Sequence, residues 1–301
     1  MQVQIPVLGA VESPAEATLF DFGATSVRLQ IPFSLNRAEL RSLAAWLAQP
    51  EPLVAAMQQA AMPIFEKIKP AIRTPLWSSL SEEYAVFEIP PPDEHFAQQL
   101  LEKEASWLAS LLRLEDEELS SEEVAESLKL HLTYTPIDLF VCEWAAAVLV
   151  DKACEETLQI VELANVQLLE LRHIDDRLDN RVEQAYQFIY PLARSWLPFW
   201  RTHARPLRML GELKVEAYGL FERSNNVLKL VGDQYLARVH RLLRSRFHLE
   251  EWERNVRGSL QVVEEVYRSV ADQAATYRTE LLEIVIILLI FFEIVMTFVR
   301  R

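Results

Sequence analysis

The apolar run at residues 281–299 constrains the fold of this chain more than any other stretch. It reads LLEIVIILLIFFEIVMTFV, and its only ionisable residues are Glu283 and Glu293. A helix that rises about 1.5 Å per residue is long enough, at this length, to cross a hydrocarbon core about 30 Å thick. We therefore predict one C-terminal transmembrane helix. A buried core helix of a soluble protein is the alternative interpretation.

Length and charge limit the classes of protein that remain. The chain has 301 residues, which is enough for two domains with hydrophobic cores. Six glycines against fifteen prolines leave little material for phosphate-binding loops or for an all-β fold with many turns. The formal net charge of −14 argues against nucleic-acid binding, because phosphates are neutralised by clustered lysines and arginines. We expect a mainly helical protein that does not bind nucleic acid directly.

The N-terminal residues MQVQIPVLGAVESPAEA lack the positive region and the apolar core of a signal peptide. Their glutamates also argue against an arginine-rich transit peptide. We therefore expect the large N-terminal part to stay in the cytoplasm, with the protein held at the inner (cytoplasmic) membrane by its C-terminal helix.

Residues 1–150 predict a soluble α+β domain with a mixed sheet. Residues 18–22 and 25–32 are typical of two strands, and Gly23 between them permits a turn with a positive φ. Further strands are predicted at residues 83–89, 129–134 and 137–150, and the last of these has a long apolar end.

Two helices are predicted between the strand that ends at residue 32 and the strand that begins at residue 83. Asn36 is a suitable N-cap for a helix over residues 37–48. A second helical piece near residues 53–61 is expected to end at Pro63, because proline interrupts a helix interior.

Residues 151–280 predict long antiparallel helices that form a stalk or bundle. Apolar residues recur every seven positions from Ala164 to Ala185, with a second row three positions earlier, as in a coiled coil. The residues expected to pack against another helix are Leu168, Leu171, Asp175, Leu178 and Val182. The last helix is predicted to begin near Glu250 and to continue into the apolar run as a single helix. Neither glycine nor proline occurs from residue 260 to the end of the run.

No catalytic motif occurs in the sequence, and we expect neither enzymatic activity nor a cofactor. Cys142 and Cys154 are too few and too close together for a disulfide framework or a zinc site. His173 lies near three aspartates and could help to bind a divalent cation, but an exposed helical face is the favoured interpretation. No metal site is therefore predicted.

Glu293 needs a physical explanation because it lies well inside the predicted span. An ionised carboxylate facing lipid costs at least a few kcal/mol. Protonation, shelter at a helix contact or exposure to a water-filled pore would reduce this cost, and a single helix offers no shelter of its own. We therefore predict self-association. The predicted oligomer and membrane contacts are Leu281, Glu283, Phe291, Phe292 and Glu293.

Three stretches resemble a known family. They are LFDFGATSV at 19–27, WAAAVLVD at 144–151 followed by QLLELRHIDDRLDNRVEQAY at 167–186, and the C-terminal run with its two glutamates ten positions apart. Together they are similar to the uncharacterised family named for the yeast protein required for meiotic nuclear division, of which this would be a bacterial-type member with relatives in the mitochondrial inner membrane. The resemblance implies a membrane-anchored α+β protein that self-associates.

Two functions follow from these features. The first is a tail-anchored, self-associating scaffold that presents its α+β domain to cytoplasmic protein partners. The alternative is an oligomeric ion channel or transporter-like element with an axis lined by Glu293. Homo-oligomers, membrane lipid and an unknown soluble protein are thus the expected partners.

Overall fold

The computed structural model describes residues 2–20, 23–72, 75–194, 208, 211–212, 214–215, 218–219 and 233–299. The chain is α+β, as predicted, with strands in its N-terminal part and long helices after them. It divides into two compact units. The first comprises Met1–Glu170 and Ser224–Glu251, and the second comprises Leu171–Arg223 and Trp252–Arg301.

Two antiparallel hairpins begin the first unit. Strand β1 (Gln2–Ile5) pairs with β2 (Gly9–Glu12), and β3 (Ala15–Leu19) pairs with β4 (Thr25–Leu29). Val3 and Ile5 are buried while their neighbours are exposed, which is the alternation of a strand with one covered face. Gly23 has a φ of +103° between β3 and β4, so the predicted turn at this glycine is confirmed.

A four-stranded sheet forms the centre of the first unit. Its strands are β5 (Ala85–Ile89), β6 (His131–Leu132), β7 (Leu139–Cys142) and β8 (Ala146–Val150), in the order β5-β8-β7-β6. Only the β5–β8 pair is parallel. Every residue of β7 and β8 is buried, as expected for strands covered on both faces.

The single strand predicted at residues 137–150 is in fact the β7–β8 hairpin. The chain reverses after Cys142, where the Glu143 N–H donates to the Ala146 carbonyl at 2.8 Å. The prediction failed because both strands are fully buried. A continuous apolar run therefore conceals the turn between them.

The first two helices follow the predicted pattern with one difference. Helix α1 (Arg37–Leu47) begins at Asn36, whose side chain accepts from the Glu39 N–H in a capping box. Helix α2 (Glu51–Ile68) passes through Pro63 rather than ending there. Beyond Pro63, the Phe65 ring packs edge-on against Trp77 with 5.2 Å between ring centroids. A proline inside a helix removes one backbone hydrogen bond, and this ring packing helps to offset that loss.

Three shorter helices complete the layer over the sheet. They are α3 (Phe96–Lys103), α4 (Ala105–Arg113) and α5 (Ser121–Ser127). Residues Leu108, Leu111 and Leu112 of α4 are fully buried in the same core as sheet residues such as Val148. The core of the first unit is therefore formed mainly by α1, α4 and the sheet.

Long helices dominate the rest of the described chain. They are α6 (Glu155–Arg194), α7 (Gln234–Arg246) and α8 (Leu249–Val299). Helix α8 has 51 residues, in agreement with the predicted continuous final helix. Among the described residues of the second unit, the buried apolar ones are Leu171, Ile174 and Leu178 on α6 and Val256, Leu260 and Val263 on α8.

Across the described residues, every helix falls short of the combined length and apolarity that crossing a membrane requires. The prediction of a transmembrane helix at residues 281–299 is therefore wrong, and so are the single-pass membrane assignment and the inner-membrane localisation derived from it. The apolar run is the end of α8, where Glu280, Glu283 and Glu293 accompany the apolar residues. Each carboxylate placed in hydrocarbon would cost several kcal/mol.

Candidate interaction site

The end of α8 exposes a long series of large apolar side chains. We call residues 282–296 the apolar segment. Its large exposed side chains are Leu282, Val285, Ile286, Ile287, Leu288, Leu289, Ile290, Phe291, Phe292, Ile294, Val295 and Met296, with 39–65% of each residue accessible. Residues 284–292 are all apolar, and successive residues of a helix point about 100° apart. Apolar side chains consequently surround the helix on every side.

The predicted contact residues lie in and beside this segment. Leu281 is half-buried, while Glu283, Phe291, Phe292 and Glu293 are exposed. Glu283 and Glu293 are about 15 Å apart along the helix axis and about 80° apart around it, because ten residues make just under three turns. The two glutamates therefore do not share one face of the helix.

The residues predicted to pack on α6 are largely in the expected positions. Leu168, Leu171 and Leu178 are almost completely buried, whereas Asp175 is only half-buried. Burial raises the pKa of Asp175, and the neighbouring carboxylates of Asp179 and Asp176 raise it further. The side chain of Val182 lies outside the described residues. Among the residues that are described, no group of three or more His, Cys, Asp or Glu side chains is arranged to hold a metal ion.

A buried ion-pair network at the β7–β8 turn was not predicted. Glu143 is only 2% exposed, and its Oε1 lies 2.9 Å from Arg246 Nη1 and 3.5 Å from Arg113 Nη2. The other carboxylate oxygen accepts from the Trp144 N–H at 2.7 Å. Arg113 and Arg246 are the last residues of α4 and α7. One buried carboxylate therefore connects the turn to the ends of two helices.

Aromatic side chains cover this network. The Tyr84 hydroxyl lies 2.9 Å from both the Glu143 and the Ala146 carbonyl oxygens, to which it can donate. The Phe247 ring makes edge contacts with Tyr84 at 5.3 Å and with Trp144 at 6.1 Å between centroids. Trp144 is nevertheless 46% exposed. The turn thus presents a tryptophan whose backbone and ring are both held in place.

Two groups at this turn that could act as nucleophiles are kept protonated. Burial raises the pKa of the Tyr84 phenol, with smaller contributions from Cys142 and Glu143. Burial also raises the pKa of the Cys142 thiol. A protonated phenol and a protonated thiol are poor nucleophiles near neutral pH. The arrangement is therefore better suited to fixing the position of Trp144 than to chemistry.

A second buried polar contact joins α6 and α7 within the first unit. The His240 ring is fully buried, and its Nε2 lies 3.0 Å from Gln167 Oε1. Burial, with a smaller effect from Arg244, lowers the pKa of His240 to about 4. The ring is thus neutral at physiological pH. No local sequence signal identifies this pair, because its members are 73 positions apart.

Comparison with known proteins finds one family model and one relative, both described as uncharacterised. The family model described as the N-terminal domain of uncharacterised protein MJ0711 matches residues 3–156. The uncharacterised protein MJ0711 of Methanocaldococcus jannaschii is 27% identical over 219 residues, which are 72% of this chain and 65% of that protein. The match thus covers slightly less than two thirds of that relative. No solved structure matches the chain.

Proposed function

We propose that this chain, which belongs to the family defined by the N-terminal domain of uncharacterised protein MJ0711, is a self-associating structural protein whose copies join through the apolar segment of α8. The observation that carries the proposal is the exposure of twelve large apolar side chains within residues 282–296. The identity of the family leaves the function open, so the proposal depends on this surface.

The area of the apolar segment is large enough for a stable interface. If each half-exposed side chain contributes roughly 100 Å², the twelve together expose on the order of 1,000 Å². A standard protein interface buries about 800 Å² on each partner, and the largest apolar patch of a typical monomer is only about 300–600 Å². A second copy of this chain supplies a surface of the same size and the same apolar character.

The apolar side chains surround the helix, which also favours association between like helices. One flat partner surface would cover a single side of α8 and leave the other sides in water. Several like helices in a bundle cover each helix from more than one side, and a helix that is apolar all round is normally buried. The proposal is therefore an association of at least two copies through their apolar segments.

The first unit would then be displayed to an unidentified protein partner. Trp144 is the best candidate contact, because a tryptophan held by neighbouring groups loses little conformational entropy on binding. We regard this role as non-enzymatic and independent of a cofactor or of nucleic acid. Closer kinship with the meiotic nuclear division family remains part of the proposal. The channel alternative is not favoured, since it requires a membrane-spanning helix.

The experiment is sedimentation velocity of the full chain and of the double variant Ile287→Glu/Phe291→Glu, in buffer without detergent. Both residues are more than 60% exposed, so the changes remove the proposed interface without opening a core. Burial of one large apolar side chain contributes about 1.5–3 kcal/mol, so we expect association to weaken at least about 100-fold.

Val262→Glu is the matched control, because Val262 is a 45% exposed apolar residue on the same helix outside the apolar segment. It should associate like the unchanged chain. A chain that remains monomeric at all concentrations would contradict the proposal. So would loss of association in the control as well, or binding to phosphatidylcholine vesicles in place of self-association.

A further inference from the structure

We infer that self-association through the apolar segment is coupled to proton uptake by Glu293. This inference rests on the proposed function, because it concerns the same surface. It adds a regulatory property: the association should strengthen as the pH falls.

Glu293 lies among apolar residues on the exposed helix. Phe292 and Ile294 flank it in sequence, and Leu289 and Ile290 lie one turn before it, all of them more than half exposed. A helix that covers these apolar side chains in a second copy would also cover the carboxylate between them. The carboxylate would then lose the water that solvates it in the separate chain.

No cation within the segment can compensate for this loss of water. Residues 279–299 contain no lysine, arginine or histidine, and their charged residues are Glu280, Glu283 and Glu293. Arg278 precedes this range and is about 22 Å from Glu293 along the helix axis. Arg300 and Arg301 follow in the sequence and lie outside the described residues. Glu283 is about 15 Å away along the axis of its own helix. The remaining polar neighbour, Thr297, donates its hydroxyl hydrogen to the Glu293 backbone carbonyl at 2.8 Å.

Two arrangements in which the apolar segments cover each other lead to the same conclusion. In parallel helices with matched ends, each Glu293 meets the Glu293 of the other copy. In antiparallel helices, it meets apolar residues or the opposite Glu283. Desolvation and repulsion between like charges both favour the neutral form of a carboxyl group. The proton comes from solvent, and each associating copy takes up one at Glu293.

The direction of the pH effect follows from linkage. Since the associated form binds more protons than the separate chains, association is strongest at low pH and weakens as the pH rises. Each proton taken up changes the association constant by up to about tenfold per pH unit. If two copies each take up one proton, the association constant changes by up to about 100-fold per pH unit.

The test is sedimentation equilibrium of the full chain at about pH 5.5, 7 and 8.5, all above the pKa of about 4 at which His240 becomes charged. We expect the dissociation constant of the unchanged chain to rise by at least about tenfold over this range. Glu293→Gln should associate tightly at every pH. The control Glu280→Gln, which lies before the apolar segment, should keep the pH dependence. Circular dichroism verifies that each variant is folded.

The outcomes separate the two proposals. If Glu293→Gln shows the same pH dependence as the unchanged chain, or if the unchanged chain associates equally at all three pH values, the inference is overturned while self-association stands. If the unchanged chain is monomeric at every pH, both proposals fail.

Discussion

At the scale of single residues, burial determines which polar groups matter. His240 and Glu143 are both almost inaccessible, and neither attracts attention in the sequence. The neutral His240 ring lies against Gln167, whereas the side chain of Glu143 lies beside two arginines. A neutral base and a paired acid are the two usual ways in which a protein interior accommodates an ionisable group.

The buried ring of His240 predicts a pH-dependent stability. Its pKa is about 4 in the folded chain and about 6.5 when exposed, so the unfolded chain binds more protons between these values. The contribution of the neutral His240 ring to the stability of the fold is complete above about pH 6.5 and is lost as the pH falls towards 4. Between pH 7 and pH 5 the unchanged chain should lose about 2 kcal/mol more stability than His240→Gln. Urea unfolding at both pH values measures this difference.

The exposed His95 provides the control for this measurement. His95→Gln should retain the full pH dependence of the unchanged chain. An identical dependence in His240→Gln would show that the buried ring does not titrate in this way.

At the scale of elements, local signals were predicted well and distant ones were not. Helix α1 begins where Asn36 and Glu39 predict it, because both halves of a capping box lie within four residues. The β7–β8 turn was missed because both of its strands are buried, and the residues that stabilise the turn, Arg113 and Arg246, are far away in the sequence. The local clue is Glu143, the only charged residue in the sequence from residue 139 to residue 150.

Helix α8 shows where sequence reasoning was right and where it was wrong. Its continuity was predicted because neither proline nor glycine interrupts the apolar pattern from residue 260 to residue 299. Its function as a membrane span was wrong. Apolar residues on all sides of a helix indicate that something encloses it, but they do not identify the enclosing material. That information lies outside the helix itself.

The ion-pair network predicts a strong dependence of stability on Glu143. Glu143→Gln preserves the shape of the side chain but leaves Arg113 and Arg246 without the buried countercharge, which should cost about 3 kcal/mol. Glu123→Gln is the control, because Glu123 pairs with the same Arg113 at 2.9 Å but is 53% exposed. Its loss should cost less than about 1 kcal/mol. Equal effects in urea unfolding would show that burial of Glu143 is not the source of the stabilisation.

At the scale of the whole molecule, two properties oppose each other. The formal charge of −14 makes copies of the chain repel one another, and the exposed apolar segment favours their association. The repulsion acts over about 8 Å at physiological salt, whereas apolar burial acts at contact and is not screened. We therefore expect association to persist, and to tighten, as the salt concentration rises.

The most direct test of the account is cross-linking of the apolar segments to each other. The variant carries Ile287→Cys in a Cys154→Ser background, with the buried Cys142 left in place. A matched variant carries Leu76→Cys in the same background. Leu76 lies in the first unit and is 82% exposed. Under mild oxidation we predict rapid formation of a covalent dimer through residue 287 and much slower dimer formation through residue 76. Equal rates at the two positions, or no dimer through residue 287, would contradict the account.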